Sequence, residues 1–246
     1  ALTYKDPALK QPATARLDAD IKADLGKQVI RAPGLLLQAS YQDKASPAPM
    51  DVELKTDAEA DLVAGSAALK GLRITGKLAD KSLPKPVPFS LTVSLDANWK
   101  TGAVALRNLI LQGAGIRLDG SVSGALPALA SGAQPVTRGM NLSGNLRSNS
   151  FDVRQVMASL GQDVKQVPAN TIVKFSTDIV ANGGSGQVGL RRLDLQLADI
   201  KVSGDVMAVM PALVSGGQPL LRGMALGGSI QTSSFNPRQL MTRFGI

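Results

Sequence analysis

Two groups of residues in this 246-residue chain come closest to the types and spacing that site chemistry needs. Asp57, Glu59 and Asp61 alternate like the first ligands of a calcium loop, but Leu62 stands where such a loop requires glycine. The glycine-rich segment 182–186 resembles a phosphate-binding loop, yet neither a lysine nor a helix pattern follows it. We therefore interpret the carboxylates as one solvated strand face and the glycine-rich segment as a hairpin turn.

The composition removes most of the remaining catalytic chemistry. The chain has no cysteine and no histidine, which excludes a thiol nucleophile, a Ser-His pair, the common zinc sites and a disulfide. No carboxylate pair stands out as an acid–base dyad. We expect a protein that is not an enzyme and that uses no metal and no cofactor.

The net charge of +8 favours anionic partners, either a membrane surface or nucleic acid. Nucleic acid fits poorly, because the basic residues are scattered among acidic ones and the few aromatic residues are not interleaved with them. No apolar stretch reaches the roughly 18 residues that a transmembrane helix needs. We interpret the chain as a soluble fragment or a mature piece of a larger protein.

Strict alternation of apolar and polar residues is the strongest pattern in the sequence. It gives each segment one apolar and one polar face, which is typical of antiparallel sheets with one solvated side. The pattern predicts a mostly β fold. The alternating segments are 15–25, 51–62, 91–96, 116–123 and 173–179.

The second half of the chain contains an internal repeat. A shift of 84 residues aligns Leu106–Gly161 with Leu190–Gly245 without a gap, and about 27 of the 56 pairs are identical. Duplication of a β unit at a fixed period predicts an array in which each unit continues its neighbour's sheet. We divide the chain into an N-terminal β segment (1–80), a first repeat (81–164) and a second repeat (165–246).

Each repeat is predicted to close with a short helix, at about 152–160 and 236–244. Asp152 and Asn236 are suitable N-caps, and Gly161 and Gly245 stand where a left-handed residue ends a helix. Two helical turns cannot persist alone, so we expect each helix to dock on an apolar sheet face.

The repeat endings resemble the AsmA family of Gram-negative envelope proteins, which is related to TamB and to bridge-like lipid transfer proteins. The motif is Ser-Phe-Asp/Asn-x-Arg-x-Leu/Val-Met-x-x-Leu/Phe-Gly, preceded by Leu-Arg-x-Leu-x-Leu and a glycine-punctuated strand. The resemblance covers most of the chain and is strongest over 89–161 and 173–246.

This resemblance implies a periplasmic β body behind one N-terminal inner-membrane helix, which the present sequence lacks. It also implies a sheet that curls into a groove, and a role in phospholipid transport and outer-membrane homeostasis. The implied partners are phospholipid acyl chains, the inner and outer membranes and other envelope proteins.

An aliphatic groove is a physically reasonable surface for lipid, because each buried CH₂ group contributes roughly 0.8 kcal/mol. Alternation supplies the candidate lining residues, and the repeated arginines are candidates for headgroup contacts or for structural pairing with a carbonyl or carboxylate. The lining candidates are Leu91, Val93, Leu95, Ile116, Leu118, Val122, Val173, Phe175, Ile179, Ile200, Val202 and Val206. The arginine candidates are Arg107, Arg138, Arg191 and Arg222.

Other interpretations stay open on the sequence. Alternation by itself favours a closed sandwich whose apolar faces pack on each other, and only the family resemblance favours the groove. A scaffold for outer-membrane proteins that acts by strand addition at a sheet edge is the main functional alternative. A sugar-binding module is less compatible, because Trp99 is the only tryptophan available for stacking.

Overall fold

The computed structural model describes residues 2–6, 9–44, 46, 48–80, 82–132, 137–165, 167–168, 170–215, 223–234 and 238. The strands are β1 (Leu2–Tyr4), β2 (Leu9–Asp18), β3 (Lys22–Asp24), β4 (Val29–Asp43), β5 (Met50–Asp61), β6 (Ser66–Leu78), β7 (Val87–Asn98), β8 (Ala103–Gly113), β9 (Ile116–Ala125), β10 (Asn141–Ser148), β11 (Phe151–Asp152), β12 (Ile172–Asn182), β13 (Gln187–Leu197), β14 (Ile200–Val209) and β15 (Ala225–Thr232). The helices are α1 (Pro127–Ser131), α2 (Val153–Ser159) and α3 (Pro211–Ser215).

Within the described residues, all the strands belong to one antiparallel sheet of 15 strands that is not closed. Its order, β1-β2-β4-β5-β6-β7-β8-β9-β10-β12-β13-β14-β15, follows the chain, with β3 beside β4 and β11 beside β12. The predicted fold class, a mostly β chain whose antiparallel strands form a curled sheet, is confirmed. The sheet runs continuously through the divisions after residues 80 and 164, which stay predictions.

A β-bulge recurs on four strands at the same place. The second bulge residue has a positive φ in each case: Gly34 (63°), Gly71 (59°), Asn108 (55°) and Arg192 (50°). Each follows by six residues a turn residue that also has a positive φ, namely Gln28, Gly65, Gly102 or Gly186. The same hairpin therefore recurs in the N-terminal segment, where the 84-residue comparison did not find it.

The bulge explains the Leu-Arg-x-Leu motif of the repeats. Across Leu106 to Leu109 and across Leu190 to Leu193 the register shifts by one residue, so two residues of the bulged strand oppose one on its partner. The extra residue keeps both leucines on one face although they lie three positions apart. Such bulges increase the local twist and bend the strand, which is the physical cause of the curl.

Polar side chains of neighbouring strands satisfy the bulge backbone. The Gly34 and Arg192 amides donate to Oδ1 of Asp57 (2.7 Å) and of Asp205 (2.8 Å), in equivalent positions on the next strand. On the preceding strand, Thr177 Oγ1 donates to the Arg191 carbonyl at 3.1 Å, as Thr56 does to the Lys70 carbonyl at 3.3 Å.

The alternating segment 15–25 is not the single strand that its pattern predicts. It is divided into β2 and β3 by residues 19–21, because each part pairs with a different half of β4. The bulge at Gly34 separates these halves and offsets their registers, so one regular strand cannot follow both.

The first closing helix is confirmed, while the second, at 236–244, lies outside the described residues apart from Arg238. The Asp152 side chain accepts from the Arg154 amide at 2.9 Å, and Gly161 has a φ of 72°. Gly161 approaches Ser82 and Pro84, so α2 lies at the strand ends.

Sequence reasoning missed α1 and α3. Each begins with proline at the first helical position, Pro127 and Pro211, which was the signal available. Each follows the same hydrogen bond: the Leu126 amide donates to the Gly102 carbonyl and the Met210 amide to the Gly186 carbonyl, both at 2.7 Å.

Substitution of Gly71 tests the bulge geometry. A Cβ at this position meets nothing within 4 Å, so the cost of a side chain comes from the left-handed backbone alone. We expect Gly71→Val to lower the free energy of unfolding by about 1–2 kcal/mol, and Gly71→Asn by clearly less, since Asn108 occupies the equivalent position. Urea unfolding measures both values. Equal losses of unfolding free energy for the two variants would contradict a left-handed backbone at Gly71.

The ion pairs of Glu59 predict how the stability of the fold depends on pH. Its carboxylate binds Lys70 Nζ at 3.0 Å and Arg31 Nη2 at 3.1 Å on the two flanking strands, and these cations lower its pKa below the ordinary value of 4.5. Because the pKa of Glu59 is lower in the folded protein than in the unfolded one, its ionised carboxylate stabilises the fold above the unfolded-state pKa. This contribution is lost as the pH falls through the folded-state pKa. We expect Glu59→Gln to be less stable than the parent at pH 7, with a difference that shrinks below about pH 4.5 and in high salt. A difference in urea midpoints that is constant with pH would contradict this.

Candidate functional site: one apolar face of the sheet

One uninterrupted row of large aliphatic residues crosses seven neighbouring strands. Residues that are directly paired across an antiparallel ladder project from the same face, with Cβ atoms about 4.5–5.5 Å apart. The register pairs each member of the row with the next. The row is Leu17, Leu37, Leu54, Ile74, Leu91, Leu111 and Leu118.

A second row continues the same face into the last strands. It crosses from β7 to β15 and contains two glycines among its aliphatic residues. Its members are Leu95, Leu106, Val122, Gly144, Ile179, Leu190, Val206 and Gly228. We call this side of the sheet the apolar face. The twelve predicted lining residues lie on β7, β9, β12 and β14, and on each strand they are an even number of residues apart with no bulge between them. All twelve therefore project from the apolar face. Whether they contact lipid stays a prediction.

The apolar face is largely uncovered in the part of the chain that the structure describes. Leu111 and Leu190 keep 40% and 37% of their surface exposed although they lie in the middle of the sheet. The accessible surface of the chain is 15111 Å², against roughly 10,400 Å² for a compact protein of this mass. The two faces of a closed sandwich would bury this surface, so the single open sheet does not support the sandwich interpretation.

Three well-buried positions of this face lie opposite the bulges. Thr56, Val93 and Thr177 are equivalent residues, at intervals of 37 and 84, and are only 7%, 5% and 5% exposed. Each stands on the strand preceding a bulge, at the position where the register shifts. We infer that the sheet bends toward its apolar side along this line, which makes these residues the floor of the groove.

The opposite face carries the charges and holds many of them in ion pairs, both between strands and within a strand. Besides the Glu59 pairs, Arg192 pairs with Asp178 of the preceding strand. On β9, Arg117 Nη2 binds Asp119 at 2.7 Å and lowers the pKa of that carboxyl. These pairs are exposed and contribute little stability individually, but they keep this face hydrated. The two sides of the sheet therefore differ sharply in polarity.

Of the four arginine candidates, Arg107 and Arg191 do not lie on the apolar face. Arg107 and Arg191 are the first residues of their bulges and project from the polar face, opposite Ser94 and Asp178. Arg107 Nη1 binds Asp96 at 3.1 Å, which is the structural pairing considered as an alternative for these residues. Arg138 is exposed in the turn after α1, and Arg222 lies outside the described residues. Their headgroup role stays a prediction.

Sequence reasoning missed the extent of the apolar face in residues 1–80. The bulges break the period-two pattern there, so the row through Leu37 and Leu54 was not recognised as continuous with the repeats. Near the β1 edge the face opens into a cleft of about 690 Å³, lined by Leu2, Tyr4, Leu9 and neighbouring residues. The spacing of apolar residues around Pro33-Gly34 and Lys70-Gly71 was the signal that could have revealed the continuity.

Neither a metal centre nor a membrane-spanning helix is found among the described residues. No group of three or more carboxylates there could hold a metal ion. No helix in the described ranges has the length and apolarity to cross a bilayer.

Comparison with known proteins identifies no relative. No family model matches the chain. Neither a curated protein nor a solved structure matches it. The likeness to the AsmA family thus depends on the sequence motifs alone.

An environment-sensitive dye tests whether the apolar face is accessible. We expect the folded protein to enhance the fluorescence of an anilinonaphthalene dye, and Leu111→Asp to reduce this enhancement by at least half. The adjacent Gln112 is exposed on the polar face, so Gln112→Asp is the matched control and should leave the fluorescence unchanged. Equal fluorescence for the two variants, with equal circular dichroism, would mean that the dye binds elsewhere.

Proposed function

We propose that the apolar face shields phospholipid acyl chains from water, and that the protein contributes in this way to phospholipid transport and outer-membrane homeostasis. The observation that carries the proposal is the continuous aliphatic row from Leu17 to Leu118, which no other described part of the chain shields fully from solvent. A soluble protein rarely exposes contiguous apolar surface of this extent without a partner for it.

The dimensions and chemistry of the face suit lipid. At about 4.8 Å per strand, thirteen strands extend roughly 58 Å before curvature, about twice the hydrocarbon thickness of a bilayer. Leucine, valine and alanine dominate the lining and supply no specific polar contacts, so binding depends on transfer of CH₂ groups from water at roughly 0.8 kcal/mol each. Such a surface allows a lipid to slide without a covalent step.

The resemblance to the AsmA family supplies the cellular setting of the proposal. By that resemblance the protein acts in the periplasm, between the inner and outer membranes, as part of an inner-membrane-anchored protein. The net charge of +8 supports attraction to anionic membrane surfaces.

Native mass spectrometry of protein purified from bacterial envelopes without detergent tests the proposal. We expect more than one phospholipid per chain, extractable with organic solvent. Val202→Asp and Leu118→Asp place a charge on the apolar face and should remove most of this lipid. Ser203→Asp, one residue along β14 on the polar face, is the matched control and should retain it.

Circular dichroism and urea unfolding must show that the three variants are folded before lipid contents are compared. A folded parent protein that carries no lipid, and takes none up from phospholipid vesicles, would reject the proposal. The scaffold function at a sheet edge would then become the leading candidate.

A further inference from the structure

The outer edge of β15 is exposed and lacks the features that usually protect an edge strand. β14 pairs with one side of β15, and among the described residues no strand pairs with the other side. All eight residues are exposed, including Leu226 (69%) and Ile230 (60%). The sequence Ala-Leu-Gly-Gly-Ser-Ile-Gln-Thr contains no charge and no proline, whereas natural edges are commonly blunted by one or both.

The internal repeat indicates which kind of strand fits this edge. The shift of 84 residues places β10 on β15 residue for residue, and each pairs on one side with the strand that precedes it in the sheet. The other side of β10 is occupied by β12, which runs antiparallel to it from Asn141↔Asn182 to Arg147↔Ser176. The β15 edge therefore repeats an edge that is filled elsewhere in the same sheet.

A pair of equivalent glycines specifies the packing. A Cβ on Gly144 would lie 2.1 Å from the Ser121 carbonyl oxygen, and one on Gly228 would lie 2.1 Å from the Asp205 carbonyl oxygen. Both positions thus require glycine because of the preceding strand. Opposite Gly144 stands Ile179 of β12, a bulky residue beside a missing side chain. Gly228 leaves the corresponding space without such a neighbour in the described chain.

We propose that the outer edge of β15 is an acceptor site for an extended polypeptide strand with the pattern of β12. This strand runs antiparallel to β15, alternates apolar and polar residues, and places a large aliphatic side chain opposite Gly228. Its apolar residues extend the apolar face by one strand, and main-chain hydrogen bonds supply much of the affinity, as in other cases of strand addition.

A second copy of this chain fits the edge less well. Pairing of β15 with itself about a two-fold axis at Gly228 would set glycine opposite glycine and leave the space unfilled. Head-to-tail pairing would offer the opposite edge strand, β1, whose described part has three residues against the eight of β15. A partner strand of β12 type satisfies both requirements.

The test uses a labelled synthetic peptide with the sequence of residues 172–182, added to the folded protein. We expect saturable 1:1 binding by fluorescence anisotropy and slower amide hydrogen exchange in residues 225–232. The same peptide with Ile179→Gly should bind at least tenfold more weakly. N-methylation of the alternate amides that face β10 in the sheet should abolish binding, whereas methylation of the other set should not.

A pair of protein variants locates the site. Ile230→Asp should weaken peptide binding at least tenfold, and Leu2→Asp on the opposite edge strand should leave it unchanged, with both variants folded by circular dichroism. Equal binding to Ile230→Asp and to the parent would overturn the proposal, as would equal affinity for a peptide whose alternation is scrambled. A concentration-dependent dimer in sedimentation that is lost in Ile230→Asp would replace the partner strand with a second copy.

Discussion

The structure depends on keeping one face of every strand apolar across an inserted residue. In a regular strand a single extra residue would transfer all the following side chains to the other face. The bulges at Gly34, Gly71, Asn108 and Arg192 absorb that residue, so leucines three positions apart remain neighbours on one surface. The continuity of the apolar row, the curvature of the sheet and the burial of Val93 all follow from these bulges.

The bulges also link the two faces. Their amides are satisfied by Asp57 and Asp205 from the polar side, and their preceding carbonyls by Thr56 and Thr177 from the apolar side. The threonine hydroxyls are buried, and their hydrogen bonds make that burial acceptable. The backbone groups of the bulges thus have hydrogen-bond partners, and the aliphatic surface beside them is preserved.

The charges are distributed unevenly along the sheet. Residues 1–80 contain eleven basic and eleven acidic side chains, whereas each repeat contains eight basic and four acidic ones. The whole net charge therefore belongs to the two repeats, while the apolar face crosses all three segments. Under the proposed function, electrostatic attraction to an anionic membrane surface favours the repeats as the part that approaches it.

The sequence by itself determined the β class, the one-sided alternation, the 84-residue repeat and the α2 helix with its Asp152 cap. These follow from local periodicity and from capping chemistry, which neighbouring residues specify. It misplaced the segment 15–25 and missed both the continuity through Leu37 and the helix that begins at Pro127. Only the tertiary structure decided that the face stays open, that Arg107 and Arg191 lie on the polar side, and that β15 is an edge. The physical reason is that register, strand order and cover are set by hydrogen bonds and contacts between distant strands, which the pattern within one strand does not encode.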